Sequence, residues 1–375
     1  MSQPLAGIRI IEVGHMLAGP YCGMLLADLG AEVIKVEPPE GDIGRRISPH
    51  TIGPHNAYFA SLNRNKKSVM LDLTAAADRS LFNDLVRSSH ALLTNLRPSA
   101  IRKLALTYDA LSHINRRIVC VALTGYGLEG PFTDRPAYDY VIQAMTGVMG
   151  LTGDPGGPPI KTGYSAVDNS AGIMAAVGLL AKIVEGNGGQ VDVAMYDVML
   201  SQLNYIAGAW LNAGEQPQRH RQSAHPYIVP AQLFPTRDSW LMLFITHDDF
   251  WRRFAAEAGP PTWLSDPAFA TMEGRRRNRE RVLAAIEEVL STDDTQSWVR
   301  RLAPLGVVVA AVESLEQALA SEQVAARNMV VEMDTPAGPL RAVGNPIKTG
   351  PEARANRLPP LLGEHSGSRL ATAQP

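Results

Sequence analysis

Only two cysteines, Cys22 and Cys120, occur among 375 residues. Two thiols supply neither a disulfide framework nor a cysteine metal centre, and they suit a reducing cytoplasm. Charge of one sign is not in excess either: 35 Lys and Arg face 37 Asp and Glu, a net of −2. That balance gives nucleic-acid binding no compositional support. No run of about 18 apolar residues occurs, so no membrane-spanning helix is expected. The first residues lack the basic-then-apolar pattern of a secretory signal, so none is expected. There is no G-x-S-x-G elbow, no H-E-x-x-H and no P-loop. The nine histidines are scattered, so no metal site is expected.

What is present is an alternation of short apolar runs with helical patterns. Ile8 to Val13 reads as a strand. Gly19-Pro20 opens a helix that carries Tyr21 to Leu29, because proline at a first-turn position has no N–H to leave unpaired. Gly30 stops that helix, and Glu32 to Val36 is the next strand. Strands at 68–73, 91–94, 117–123 and 190–193 follow, with helices at 75–89, 138–149, 165–184 and 195–212. Such alternation predicts a parallel, helix-covered sheet. Residues 214–230 are polar and proline-bearing and read as a linker. Beyond them a hairpin, 232–235 with 240–245, and helices at 248–258, 275–290 and 295–303 predict a smaller α+β domain. A second hairpin is expected around Pro336-Ala-Gly338, then a surface-wrapping tail from Pro351. The expected fold is therefore α/β: a Rossmann-like large domain (1–213, completed by 321–375), a linker (214–230) and a small α+β domain (231–320).

Three features bear on chemistry. Gly125-Tyr-Gly-Leu-Glu-Gly130 matches G-x-G-x-x-G, but Pro131, Asp134 and Pro136 follow at once and no helix can start there. A dinucleotide site needs that helix, so the motif is read as a loop. His15 follows the first strand, at the end where α/β sheets bind ligands. Asp168 is a lone carboxylate at the start of an apolar, small-residue helix. Its spacing favours an N-cap, and the same position would also suit an ionised nucleophile toward an activated acyl group.

Several stretches together resemble the class III CoA-transferase (CaiB/BaiF) family. They include Leu5-Ala-Gly-Ile-Arg-Ile-Ile-Glu-Val-Gly-His15, Leu26-Ala-Asp-Leu-Gly-Ala-Glu-Val-Ile-Lys-Val-Glu-Pro38 and Asn63-Arg-Asn-Lys-Lys-Ser68. Asn95-Leu-Arg-Pro98, Leu123-Thr-Gly-Tyr-Gly127, Tyr138-Asp139, Gly189-Gln-Val-Asp-Val193 and Pro359-Pro-Leu-Leu-Gly-Glu-His365 complete the set, across nearly the whole chain. The resemblance implies that Asp168 is the catalytic aspartate. It implies that Leu17, Ala18, Leu71, Asp72, Leu73, Thr74, Asn95, Leu96, Arg97, Lys103, Thr124, Gly125, Tyr126 and Gly127 contact CoA. The basic first third of the chain then has a reason, since CoA phosphates are met well by Arg and Lys. Pro38 and Thr74 stand where some members carry Arg and Lys, so Lys35, Arg45 or Arg46 is expected to substitute. His15, Arg46 and Tyr138 are candidates on the acid side.

The implied activity moves CoA from an acyl-CoA such as succinyl-CoA to a small carboxylic or dicarboxylic acid, through an aspartyl–CoA thioester. Coenzyme A is substrate, with no permanently bound cofactor, and the implied partner is a second copy in an interlocked homodimer. The rival within the family is α-methylacyl-CoA racemisation, which needs an acid/base pair. Its branch carries His where this chain has Tyr138, and an ordinary Tyr is a poor base at neutral pH. The stretch His225-Pro-Tyr-Ile-Val-Pro-Ala-Gln232 replaces a glycine-rich loop of the formyl/oxalate branch and argues against formyl-CoA:oxalate exchange. A noncatalytic acyl-CoA-binding protein is the alternative from another class.

Overall fold

Arg9–Val13 (β1) is buried along its whole length, as a strand covered on both faces must be. In the computed structural model, which describes residues 3–350 and 356–367, five further strands join it. They are Glu32–Glu37 (β2), Lys67–Met70 (β3), Ala91–Thr94 (β4), Val119–Thr124 (β5) and Gly189–Ala194 (β6). All pair in parallel, in the order β3-β2-β1-β4-β5-β6. This is the Rossmann strand order, and the winding reverses between β1 and β4. In such sheets ligands bind beyond the carboxyl ends of the strands at that reversal.

Side chains alternate along β1 between two cores. Ile10 packs with Leu93, Val121 and the helices Ala18–Asp28 (α1) and Ala166–Glu185. Ile11 and Val13 pack on the other face with Phe82, Leu85 and Val86. Between these helices run Ala57–Asn63 (α2) and Asp139–Met145 (α3); Ala166–Glu185 is α4. By length and composition α4 could cross a bilayer. Here it is a core helix, with Val167, Ala171, Ala175 and Leu179 against the sheet. Gly172 makes the close approach of α4 to α1 possible. A Cβ there would lie 2.8 Å from the Ala18 carbonyl oxygen.

The chain divides into two compact units. One comprises Met1–Val148, Lys161–Gly214 and the part from Glu322; the other comprises Met149–Ile160 and Glu215–Ser321. Two segments therefore stand elsewhere than expected. Residues 149–160 join the second unit, where the Arg219 guanidinium donates to the carbonyls of Gly150, Gly157 and Pro158. The expected linker also folds into that unit, its His225 and Pro226 carbonyls held by Arg279. Expected tail residues 351–355 and 368–375 lie outside the described residues.

In the second unit Ala231–Pro235 (β7), Trp240–Phe244 (β8) and Val308–Ala311 (β9) form an antiparallel sheet in the order β9-β8-β7. Its core stacks Trp251, Trp263 and Phe269, with successive ring centroids 5.6 and 5.4 Å apart. The expected helix 275–290 is two helices, Met272–Arg277 and Arg279–Leu290, broken at Asn278. The hairpin Val330–Thr335 with Gly338–Val343 forms as read from the sequence.

Candidate active site

The loop Gly14–Leu17 joins β1 to α1 at the strand-order reversal. Its shape is fixed by side chains from three directions. Asn95, the first residue after β4, forks onto His15: its Oδ1 accepts the His15 N–H at 3.0 Å and its Nδ2 donates to the His15 carbonyl at 2.9 Å. Glycines at 14 and 19 admit this fork, since a Cβ at either would meet the Asn95 side chain at 2.4 or 2.8 Å. Met16 takes a left-handed φ of 64°, and its N–H donates to Asp42. From below, Lys35 Nζ donates to the Gly14 carbonyl.

Lys35 belongs to a wholly buried charge cluster. Its Nζ lies 2.8 Å from Glu12 and 2.9 Å from Asp42, and Lys66 Nζ lies 2.8 Å from the other Glu12 oxygen. Burial pushes the Glu12 carboxyl up, but Lys35 and Lys66 outweigh it and the net direction is down. Burial dominates at Lys66, which falls to about 8 despite Glu12. Arg45 grips Glu37 with two bonds and the Pro360 carbonyl besides. Lys35 and Arg45 are thus consumed inside the fold rather than turned to phosphates, contrary to expectation, because each has a buried carboxylate within reach.

A cavity of about 240 Å³ opens above this loop. It gathers His15, Leu17, Ala18, Asn95, Leu96, Arg97, Thr124, Gly125, Tyr138 and Asp168 of the expected residues. Leu71, Asp72, Leu73, Thr74, Lys103, Tyr126, Gly127 and Arg46 are not in its lining. Arg46 is exposed and donates to the Glu40 carbonyl. Gly127 donates its N–H to the Thr124 hydroxyl, so that N–H is already paired inside the fold. Among the described residues no group of three or more His, Cys, Asp or Glu could hold a metal ion.

Asp168 differs from its sequence reading in one respect. It is the third residue of α4, inside the first turn, while Ser165 takes the cap position without a side-chain bond. The capping acceptor is Asp139, whose Oδ2 accepts the Val167 N–H at 2.9 Å. Asp168 is therefore not held ionised by capping. Burial, with the negative Asp139 nearby, pushes its carboxyl up to about 7. Burial likewise keeps His15 below its ordinary value, against the pull of Asp42.

Three of the lining residues that had no role in the sequence reading bear on the chemistry. Tyr58 stands at the start of α2, which Asn56 caps. Burial and the charges of Asp168 and Asp42 push its phenol up to about 12, so it stays a neutral hydroxyl. Arg135 lies over the Phe132 ring at 3.9 Å and borders the cavity. Asp139 was visible only as part of a motif. The Asn56 cap could have revealed α2, but nothing local tells that Tyr58 faces Asp168.

Comparison with known proteins fits this geometry. The description "CoA-transferase family III" matches residues 5–366. Succinate–glutarate CoA-transferase of Agrobacterium fabrum is 33% identical over 98% of this chain and 95% of its own. Acetyl-CoA:oxalate CoA-transferase of Acetobacter aceti is 33% identical over 92% and 89%. The crystal structure of a CaiB/BaiF family protein from Brucella suis superposes with a TM-score of 0.86 at 30% identity, covering 99% of both chains. A sheet of Rossmann order, with a carboxylate facing a cavity at its reversal point, thus comes with whole-length kinship to enzymes that move coenzyme A: the chain belongs to CoA-transferase family III.

Proposed function

We propose that the protein transfers CoA from an acyl-CoA such as succinyl-CoA to a small carboxylic or dicarboxylic acid, with Asp168 as nucleophile. The observation that carries this reading is the placement of Asp168 in the wall of a cavity that the clamped loop after β1 also lines. An Asp168 oxygen attacks the thioester carbonyl, the C–S bond breaks, and CoA leaves as thiolate from a mixed anhydride. The thiolate attacks the aspartyl carbon and the donor acid departs as carboxylate, leaving an Asp168–CoA thioester. The acceptor carboxylate then attacks that thioester, and the expelled thiolate takes the acyl group from the new anhydride. Each intermediate stays activated, so the site must exclude water.

Burial serves this chemistry. A poorly solvated carboxylate near 7 is a stronger nucleophile than one near 4, though only about half of it is ionised at neutral pH. The neutral Tyr58 hydroxyl is suited to donate to an anionic intermediate. Arg97 and Arg135 at the cavity suit CoA phosphates or a second carboxylate on the acid. The named relatives act on succinate with glutarate and on acetyl-CoA with oxalate, which supports a small acid. Racemisation would need an acid/base pair, and this chain has Tyr138 where that branch of the family carries His.

We further propose an interlocked homodimer in the cytoplasm, with no permanently bound cofactor. Ile173, Met174, Val177 and Val184 of α4 face outward, as do Tyr205, Trp210 and Leu211 of the helix Asn204–Ala213. A second copy would cover these apolar side chains.

Incubation with succinyl-CoA or acetyl-CoA and a panel of free acids, followed by mass spectrometry, tests the reading. New CoA esters are expected, with a CoA adduct on Asp168 and none in Asp168→Ala. Full activity of that variant would sink the mechanism. Deuterium uptake at the α-carbon without exchange would indicate racemisation, and binding without turnover a binding protein.

A further inference from the structure

Asp139 is a buried carboxylate, 3% exposed, with no ion pair to it among the described residues. Its partners are two N–H groups. Oδ2 accepts from Val167 N, at the start of α4, and Oδ1 accepts from Gln143 Nε2 at 2.7 Å. Gln143 is wholly buried. Its Oε1 accepts the Thr162 N–H and its Nε2 also donates to the Thr162 hydroxyl, both at 3.0 Å. The Thr162 hydroxyl donates onward to the Tyr164 carbonyl. One continuous set of bonds therefore ties α3 both to the segment before α4 and to the residue directly preceding Asp168.

Ser165, at the cap position of that helix, makes no side-chain bond there. The Asp168 carboxylate is not used for capping, and it is free to face the cavity. We propose that Asp139 is the positioning residue of the transfer site: through Val167 and the Gln143–Thr162 bonds it fixes the first turn of α4, and with it the aim of Asp168.

The placement has an electrical side. Asp139 is a like charge beside Asp168 and, after burial, a cause of its raised value. The other titratable groups around Asp168 are Tyr58 from α2, His15 from the loop after β1, Arg97 from the turn after β4, and Arg135, Tyr138 and Tyr140 from the segment leading into α3 and its first turn. None is a carboxylic acid, so Asp139 is the carboxylate whose removal acts on Asp168.

This inference rests on the proposed role of Asp168, and two variants test it. Asp139→Ala removes both acceptors; kcat for CoA transfer is expected to fall about 100-fold, while KM for acyl-CoA stays within about threefold, because the loop after β1 is untouched. Asp139→Asn keeps an oxygen for Val167 but not the charge. It is expected to retain more activity than Asp139→Ala, with the acid limb of its kcat–pH profile about one pH unit below wild type. Wild-type kcat from Asp139→Ala, or an unmoved acid limb in Asp139→Asn, would overturn the proposal.

A measurement independent of turnover stands beside these. Carbon-13 titration of the Asp168 carboxyl, assigned by its loss in Asp168→Asn, is expected near 7 in wild type and lower in Asp139→Asn. Equal values would overturn the proposal even if Asp139→Ala did not fold. Absence of any Asp168–CoA adduct in wild type would instead defeat the functional reading, and the titration would still decide the role of Asp139.

Discussion

Asp168→Asn replaces a carboxyl that the fold has pushed up to about 7 with a neutral side chain of the same size. In the unfolded chain the acid ionises near its ordinary 3.8, so the folded state binds the proton more tightly. Its ionisation therefore counts against folding: not at all below about pH 4, increasingly between 4 and 7, and fully above 7. From 3.8 to about 7 is about three pH units, and at about 1.4 kcal/mol per unit the ceiling is about 4 kcal/mol. The side chain is only half-buried, so solvent screening reduces the figure to about 1–2 kcal/mol. At about 2–4 °C per kcal/mol for a domain of this size, Asp168→Asn is expected to melt roughly 3–6 °C above wild type at pH 8. At pH 4.5 the acid of the unfolded chain is already about five-sixths ionised, so the difference is expected to shrink only to roughly 2–3 °C. Paired thermal melts by circular dichroism across pH 4.5–8 measure this, and comparison at each pH cancels the other titrating groups. A variant no more stable at pH 8 than at pH 4.5, relative to wild type, would refute the reasoning. The same variant is expected to lack CoA transfer, so stability and activity move in opposite directions at one residue.

Glu12→Gln leaves Lys35 and Lys66 short of a buried partner; urea unfolding is expected to show a loss of about 3–5 kcal/mol, and a loss under about 1 would contradict the cluster's role. Asn95→Ala releases the fork on His15, and steady-state kinetics are expected to show KM for acyl-CoA raised about tenfold with the melting temperature little changed. Gly172→Ala drives a Cβ against the Ala18 carbonyl; it is expected to cost about 1–3 kcal/mol by denaturant titration and to lower kcat, because α4 must move away from α1.

The sheet was legible because its strands are short apolar runs bounded by strong punctuation. Ala91–Thr94 was read to the residue, and Gly186, at φ 80°, ends α4 where a helix stop belongs. Helix breaks were harder. Residues 138–149 read as one helix but break before Val148, at Gly147 with φ 86°, and 195–212 breaks at Leu203. Gly147 is a local sign of the first break, but apolar periodicity continues across both and masks them. The prominence of Asp168 came from its neighbours in sequence and from family resemblance. Its charge state did not, because it depends on burial and on Asp139, which only the packing of α3 against α4 brings near. The basic residues show the same limit from another side. A sequence counts Lys35, Arg45, Arg64 and Lys66 as available cations, whereas Glu12, Glu37 and Asp28 neutralise them inside the fold.

β3 is the edge strand of the parallel sheet, yet its outer rim is already occupied. The Ser68 carbonyl accepts from His365 N, Met70 N donates to the Ser366 hydroxyl, and the Ser68 hydroxyl accepts from Gly363 N. These partners are translated almost 300 residues after the strand they cover. While the chain is still being made, the six strands can assemble but one flank keeps unpaired N–H and C=O groups, a template for any neighbouring nascent chain. Native closure thus waits until residues 363–366 have been made. Proteins cut short before residue 363 would keep every residue of the transfer cavity and still carry an open, adhesive edge.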